Sequence, residues 1–434
     1  MINRRKASKS NSVVQGDQST SVQNHRRKKR HRRSRWEGQN AFAVAASIFL
    51  VGYWWNYRWN ANSRASTLPA ESTHYKQPFN HTYRDTENDR NHLRMLLSKA
   101  GYHLRDLNDQ ELQTKIKELP SWDRIQELYG KKPIIFGLES CEKFQSLPNA
   151  AEHFISVAGT FNSGTNLMAQ LLWQNCYMPA RREKYGTAGV RWQVPWGKHT
   201  PVHNETHRQQ HRAQNEKDIP ADNVFPVVTV RDPYFWMDSM CRHPYSMEWV
   251  QDPNQCPKLV PTEDDPDFLK AIASFPVRIE YDGTKRMHKS MLHHLNEWYS
   301  AYINATFPRA IVRYEDLIFH PQKVTEAVCL CAGGAMVGGI SKRRSKKLRR
   351  KSIPTDKEGK QQKNNDDGFQ FVKESAKDNS SIHGKHKSGL LEAMIQYSRA
   401  SPNHNMTKAD LRFAMDELNP IFMKTFGYKY IITP

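Results

Sequence analysis

Three apolar runs rich in β-branched and aromatic residues predict buried strands at residues 154–158, 225–230 and 310–312. Segments with a helical pattern of apolar positions, such as 167–172 and 291–302, lie between them. Continuous apolar strands that alternate with helices are typical of a parallel sheet covered on both faces. The sequence therefore predicts an α/β fold, a parallel sheet flanked by helices.

A further apolar run, residues 41–55, predicts one transmembrane helix whose ends extend to residues 40–58. Tryptophans and tyrosines flank it, as in the aromatic belts at membrane interfaces. Eight Lys and Arg residues lie within residues 26–35. The positive-inside rule therefore predicts a cytosolic N-terminus and an exported remainder, a single-pass type II membrane protein. A cleaved signal peptide is the main alternative, but the polar leader is too long for one.

The rest of the chain divides by composition. Residues 1–39 predict a basic cytosolic tail, and residues 59–130 predict a polar stem followed by short amphipathic helices. A folded domain is predicted at residues 131–434. Within it, residues from about 335 to 388 predict a disordered insertion, because they have few apolar side chains to bury.

The net charge of +21 is concentrated in two segments. Residues 1–35 carry a net +11 and residues 341–363 a net +9, so the remaining residues are nearly neutral. A nucleic-acid-binding domain carries its positive charge on its folded surface, so we expect no nucleic-acid partner. The second segment predicts a flexible region attracted to anionic glycans. A loop that closes over a bound phosphate is the alternative interpretation.

All six cysteines and all five N-glycosylation sequons lie beyond the predicted membrane helix. Disulfides and N-glycans form in exported domains, so both distributions favour export. The even number of cysteines permits disulfides without specifying their pairing. The cysteines are Cys141, Cys176, Cys241, Cys256, Cys329 and Cys331, and the sequons begin at Asn80, Asn204, Asn304, Asn379 and Asn405.

A polar loop, residues 159–166, follows the first predicted strand and reads GTFNSGTN. Its two glycines have the spacing of the phosphate-binding pattern G-x-x-x-x-G-K-[ST], in which backbone N–H groups contact phosphate oxygens. Thr165 replaces the lysine of that pattern, and Asn166 replaces the residue that holds magnesium. Kinase or γ-phosphate hydrolysis chemistry is therefore disfavoured, whereas binding of a phosphate that is not transferred fits. A loop that only caps its helix is the alternative.

A second polar cluster follows the second predicted strand. It contains Arg231 and, eight residues later, Ser239. The planar guanidinium of arginine is suited to a phosphate. A salt bridge between Arg231 and a nearby acid is the alternative interpretation.

Together the two clusters resemble the cofactor signatures of sulfotransferases that use 3′-phosphoadenosine 5′-phosphosulfate (PAPS). The RYEDL sequence at 313–317 and the FGY sequence at 426–428 resemble further motifs of that family. The similarity covers roughly residues 141–333 and the last 45 residues. It implies a P-loop-like fold, a Golgi membrane enzyme with a luminal catalytic domain, and PAPS as donor without a metal.

The resemblance also assigns roles to individual residues. It implies that the loop after the first strand holds the 5′-phosphosulfate and that the second cluster holds the 3′-phosphate. The implied donor-binding residues are Asn162, Ser163, Gly164, Thr165 and Asn166 in the loop, and Arg231 and Ser239 in the second cluster.

Many members of this family have a lysine where this chain has Asn162, and that lysine stabilises charge on the leaving oxygen. The segment around Lys198 and His199 resembles the Lys and His neighbourhood of soluble members. We expect Lys198 to neutralise charge on the leaving phosphate and His199 to act as general base. Glu183 and Glu205 are alternative bases.

Four histidines recur every fourth residue, at His199, His203, His207 and His211. Histidines four apart on a helix can bind zinc. Pro201 interrupts the series, and no H-E-x-x-H motif is present. The sequence therefore predicts no metal site.

The expected reaction is transfer of a sulfuryl group from PAPS to an acceptor hydroxyl. A carbohydrate hydroxyl is the first choice of acceptor, with Trp192 and Trp196 as possible sugar platforms, and a protein tyrosine is the second. A luminal glycosyltransferase is one alternative, and residues 264–267 (DDPD) offer only a weak metal-binding motif for it. A non-catalytic binding protein with a sulfotransferase fold is the other.

Overall fold

A computed structural model of the chain describes part of the unit Tyr83–Pro434. The described residues are 87–103, 110–202, 208–209, 219–249, 256–265, 270–281, 284–337, 368–374, 389–399 and 406–431. The predicted cytosolic tail, the membrane helix at 40–58 and most of the stem lie outside these ranges. No helix within the described ranges is long and apolar enough to cross a membrane.

The described part of the chain contains strands β1 (Ile135–Phe136), β2 (Phe154–Gly159), β3 (Cys176–Tyr177), β4 (Val190–Arg191), β5 (Val224–Val230), β6 (Met247–Trp249), β7 (Val277–Tyr281), β8 (Thr284–His288), β9 (Ala310–Arg313) and β10 (Ala335–Met336). The central sheet has the order β1-β9-β5-β2-β4. Strands β9, β5, β2 and β4 are parallel, and β1 is antiparallel to β9. The three predicted strands are confirmed as β2, β5 and β9, which are neighbours in the sheet.

Its helices are α1 (Glu87–Lys99), α2 (Gln110–Lys117), α3 (Trp122–Tyr129), α4 (Cys141–Gln145), α5 (Thr165–Asn175), α6 (Pro179–Tyr185), α7 (Pro233–Arg242), α8 (Met291–Ile303), α9 (Tyr314–Phe319), α10 (Pro321–Cys331), α11 (Leu390–Gln396), α12 (Lys408–Glu417) and α13 (Pro420–Phe426). The predicted helical segments 167–172 and 291–302 are confirmed within α5 and α8. A helix follows each of the three central strands, so the predicted α/β fold is confirmed.

Hydrophobic side chains cover both faces of the central sheet. In β2, Ile155 and Val157 point into one core with α1, α3, α5, α10 and α11. Phe154 and Ala158 point into the other core, with α7, α8, α12 and α13. Alternate residues of a strand face opposite sides, so an unbroken apolar strand is what a sheet buried on both sides requires.

The short helices predicted within the stem segment pack against the sheet domain. Leu93 and Leu97 of α1, Ile116 of α2 and Ile125 of α3 are buried in the same core as β2. These helices therefore belong to the same folded unit as the sheet, so this unit includes described residues that precede 131.

The predicted disordered insertion, 335–388, is corrected in two places. Strand β10 pairs with β3, and residues 368–374 pack against the core. Phe369 and Phe371 are buried in that segment, and the side chain of Asn175 accepts from Gln370 N at 2.6 Å and donates to Gln370 O at 2.9 Å. Two alternate phenylalanines are enough to anchor this short segment, although the average composition of the region is polar.

Three disulfides join the six cysteines, and none is free. Cys141–Cys331 and Cys176–Cys329 attach α4 and β3 to α10, and Cys241–Cys256 closes a short loop after α7. The first two close long loops, so in a chain-entropy account they destabilise the unfolded state by about 5 kcal/mol each at most.

Candidate functional site

A cavity of about 650 Å³ lies beyond the carboxyl ends of β2 and β5. Ligands of open parallel sheets bind at this edge. The cavity brings together eight of the nine residues that the sequence assigns to donor binding and catalysis. Its wall contains Asn162, Gly164, Thr165, Asn166, Lys198, His199, Arg231 and Ser239.

The loop between β2 and α5 presents the beginning of a helix to this cavity. Gly164 is the N-cap of α5 at φ +95°, and no side chain caps the helix there. A Cβ atom at this position would collide with the ring of Tyr314. Glycine is therefore required both by the positive φ and by the close approach of this ring. The first amides of α5, from Thr165 onwards, have no acceptor within the helix. Together with the helix dipole they form a site for an anion.

Lys198 places an ammonium group beside this helix terminus. Its Nζ donates to Asn166 Oδ1 at 2.8 Å and lies 3.4 Å from the centroid of the Trp192 ring. Burial lowers the pKa of Lys198 to about 7. Another segment thus places a lysine beside the loop, and an anion in the cavity would stabilise its charged form.

His199 adjoins the same loop from the neighbouring segment. Its Nδ1 lies 2.7 Å from Gly159 O. A carbonyl oxygen only accepts hydrogen bonds, so Nδ1 carries the proton and Nε2 keeps its lone pair. Burial, together with the nearby Lys198 charge, lowers the pKa of His199 to about 3. The ring is therefore neutral at physiological pH, and the same shift makes it a weaker base than a free imidazole.

Arg231 is held rigidly at the end of β5. Its Nη1 donates to Asn162 O at 2.8 Å, which connects the second cluster to the polar loop 159–166. The guanidinium carbon lies 5.0 Å from the centre of the Tyr314 ring and 5.1 Å from that of Tyr397, within cation–π range. Its buried Nε has no hydrogen-bond partner. Such an orphaned donor on a cavity wall is what a site for an absent anion would contain.

The charges on the cavity wall are all of one sign. Within the described residues, Lys198, Arg231, Arg242 and Lys373 line it, and no carboxylate does. Arg242 is exposed and pairs with Asp238. The rest of the chain outside the two basic segments is nearly neutral, so this local excess of positive charge selects for anionic ligands.

Two of the predicted donor-binding residues use their side chains within the protein. The Ser163 hydroxyl is fully buried and bonds Thr160 O and Thr229 Oγ1 at 2.8 and 2.9 Å, so it stabilises the loop from behind. Asn162 has a left-handed backbone, φ +59°, and its Nδ2 donates to His243 O at 2.8 Å. Its side chain fixes the end of α7 and does not substitute for a catalytic lysine.

The other sequence candidates differ in position. Trp192 lines the cavity, stacks on Trp173 and supports Lys198 with its ring. Trp196 is fully buried and donates to Tyr302, so its observed contacts are structural. Glu183 is exposed on α6 and does not line the cavity. Asp265 of the DDPD segment pairs with Lys258 at 2.5 Å. Glu205, His203, His207 and His211 lie outside the described residues. The described residues contain no group of three or more potential metal ligands among His, Cys, Asp and Glu.

Sequence reasoning missed the residues that surround Arg231. Tyr314 was visible only as part of the RYEDL motif, and Tyr397 had no local signal because it approaches from a distant helix. Lys373 lies in the segment predicted to be disordered. The buried Phe369 and Phe371 beside it were the one signal of order there.

Comparison of the chain with protein-family models, with curated proteins and with solved structures finds no match.

Proposed function

We propose that this chain is a sulfotransferase that moves a sulfuryl group from PAPS to an acceptor hydroxyl on a carbohydrate. The main support is that the helix terminus at Gly164 and the cluster of Arg231 and Ser239 border one cavity. Two anion sites in one cavity suit a nucleotide with phosphates at both its 5′ and 3′ positions. In this proposal the fold is P-loop-like.

The amides that begin α5, with Asn166 and Lys198, would hold the 5′-phosphosulfate. Arg231 and Ser239 would hold the 3′-phosphate. A planar guanidinium clamped between two tyrosines is oriented before the ligand arrives, which lowers the entropic cost of binding. The cationic wall would offset most of the charge of the donor.

The chemical step needs alignment, charge stabilisation and one proton transfer. The acceptor oxygen attacks sulfur and a new S–O bond forms, while the bond between sulfur and the 5′-phosphate oxygen breaks. The acceptor proton passes to Nε2 of His199, and adenosine 3′,5′-bisphosphate leaves. Lys198, protonated when the donor is bound, stabilises the charge on the departing phosphate. No step uses a metal ion.

The proposed setting is the Golgi lumen, with residues 40–58 as a type II signal anchor. Three disulfides and no free cysteine favour an oxidising compartment. Asn304, the one sequon asparagine within the described residues, is exposed at the end of α8. A luminal enzyme meets glycans and secreted proteins, which is why carbohydrate hydroxyls come before tyrosine as acceptors.

Transfer of label from sulfur-labelled PAPS to a panel of glycans and tyrosine peptides tests the proposal. Arg231→Ala and His199→Asn should each abolish most transfer, and Arg412→Ala, at an exposed arginine of α12, is the matched control. Labelling that is insensitive to Arg231 and His199 would refute the site. PAPS binding without transfer to any acceptor would indicate a non-catalytic binding protein, and transfer from a sugar nucleotide would indicate a glycosyltransferase.

A further inference from the structure

Two sequence motifs, RYED at 313–316 and FGY at 426–428, lie mostly behind the cavity wall. Of these residues only Tyr314 lines the cavity. Glu315 is fully buried, and Tyr428 is 7% exposed. A buried carboxylate is costly unless its oxygens are hydrogen-bonded, so its partners indicate what it is for.

Glu315 connects the Arg231 segment to the C-terminal segment. Its Oε1 accepts from Asp232 N at 3.0 Å, and its Oε2 accepts from the Tyr428 hydroxyl at 3.0 Å. Asp232 follows Arg231 directly and is the N-cap of α7, accepting from Tyr234 N and Phe235 N. Glu315 therefore holds the peptide that carries Arg231 at the point where β5 turns into α7.

The C-terminal segment is in turn fixed by Arg313. This buried guanidinium makes two hydrogen bonds to Asp316, at 2.7 and 2.8 Å, and donates to Phe426 O at 3.0 Å. Gly427 then adopts a left-handed conformation, φ +65°, that ends α13. The hydroxyl of Tyr428 is directed back to Glu315 by this reversal.

Tyr314, the neighbour of Glu315, touches both proposed anion sites. Its ring packs against Gly164, at the N-cap of α5, and it also forms one of the two rings beside Arg231. One short segment after β9 thus contacts the phosphate loop through Tyr314 and the Arg231 turn through Glu315.

We propose that Glu315 and Tyr428 are positioning residues that hold Arg231 in register for the 3′-phosphate of the donor. This inference rests on the proposed function. Neither side chain contacts the nucleotide in this account. The hydroxyl of Tyr428 fixes the carboxylate of Glu315, and the carboxylate fixes the backbone at Asp232.

The test compares two nucleotides on the full-length chain, adenosine 3′,5′-bisphosphate and 5′-AMP, which lacks the 3′-phosphate. Tyr428→Phe removes only the hydroxyl and should weaken bisphosphate binding by roughly three- to tenfold, the range of one typical intramolecular hydrogen bond. Binding of 5′-AMP should change less than about twofold. The control is Tyr430→Phe, whose hydroxyl bonds Leu418 O at 3.4 Å, away from Arg231. It should leave both affinities unchanged.

A double-mutant cycle with Arg231→Ala separates positioning from general damage. Once Arg231 is absent, Tyr428→Phe should have no further effect on bisphosphate binding. An equal loss for both nucleotides, no loss for either, or an undiminished effect without Arg231 would overturn the positioning role. Failure of the proposed function would give a different result: the unmodified protein itself would show no preference for the bisphosphate over 5′-AMP. The preference for the bisphosphate over 5′-AMP is a ratio within one preparation, so partial unfolding of a variant cancels from it.

Discussion

The ionisation of Lys198 gives a quantitative prediction for donor binding. Its pKa of about 7, compared with 10.5 for a free lysine, corresponds to about 5 kcal/mol of cost for holding the buried charge. A phosphate in contact with Nζ offsets that cost, so binding should raise the pKa again. The nucleotide will therefore bind with uptake of a proton wherever free Lys198 is neutral.

The sign follows from linkage. As pH rises above 7, free Lys198 loses its proton, and the affinity for adenosine 3′,5′-bisphosphate must fall. With a free pKa near 7, and with Lys198 fully protonated in the complex across this range, the association constant should decrease roughly 50-fold from pH 7 to pH 9. The phosphates are already ionised in that range, since their second pKa is near 6. His199 is neutral throughout, because its pKa is about 3.

Calorimetry in buffers of different ionisation enthalpy measures the proton uptake directly. It should be about half a proton at pH 7 and approach one proton at pH 8. Lys198→Met should bind the bisphosphate weakly and with an affinity that does not change with pH. That affinity should equal the affinity of the unmodified protein at high pH, where Lys198 is neutral. His199→Asn should keep the pH dependence. Equal pH profiles for the unmodified protein and Lys198→Met would refute the reasoning.

Three further predictions concern stability and the loop. Burial and the nearby Glu315 charge raise the pKa of Asp232 to about 7, so its ionisation destabilises the fold as pH rises from 4 to 7. Asp232→Asn keeps the helix cap but carries no charge. Its melting temperature minus that of the unmodified protein should therefore increase from pH 4 to pH 7 and stay constant above pH 7. A difference in melting temperature that does not depend on pH would contradict this. Replacing both Cys176 and Cys329 by Ala should lower the unfolding free energy in urea by about 3 to 5 kcal/mol, and an unchanged midpoint would count against a structural disulfide. Gly164→Ala should displace the Tyr314 ring and weaken nucleotide binding more than tenfold; unaltered affinity would show that the loop tolerates a side chain.

Much of the fold follows from local sequence. The strands at 154–158, 225–230 and 310–312 are mostly apolar because the sheet is covered on both faces. Such apolar runs can be recognised in the sequence alone. The polar loop 159–166 and Arg231 can also be recognised locally, since each follows a predicted strand. That the two lie side by side depends on the strand order, in which β2 and β5 are neighbours.

Other parts of the site required the tertiary structure. The guanidinium of Arg231 lies beside Tyr397, which approaches from a helix more than 150 positions later. The pKa values of Lys198 and His199 depend on burial, which no short motif specifies. Lys373 was missed because a window average hides the two phenylalanines that anchor its segment.

The central claim is that two anion sites in one cavity serve a single nucleotide. Titration of the unmodified chain with adenosine 3′,5′-bisphosphate, 5′-AMP and 3′-AMP tests it most directly. The account predicts that the bisphosphate binds at least tenfold more tightly than either monophosphate. In Arg231→Ala the bisphosphate should bind no more tightly than 5′-AMP, but it should still bind more tightly than 3′-AMP. Equal affinities for all three nucleotides, or no binding, would contradict it.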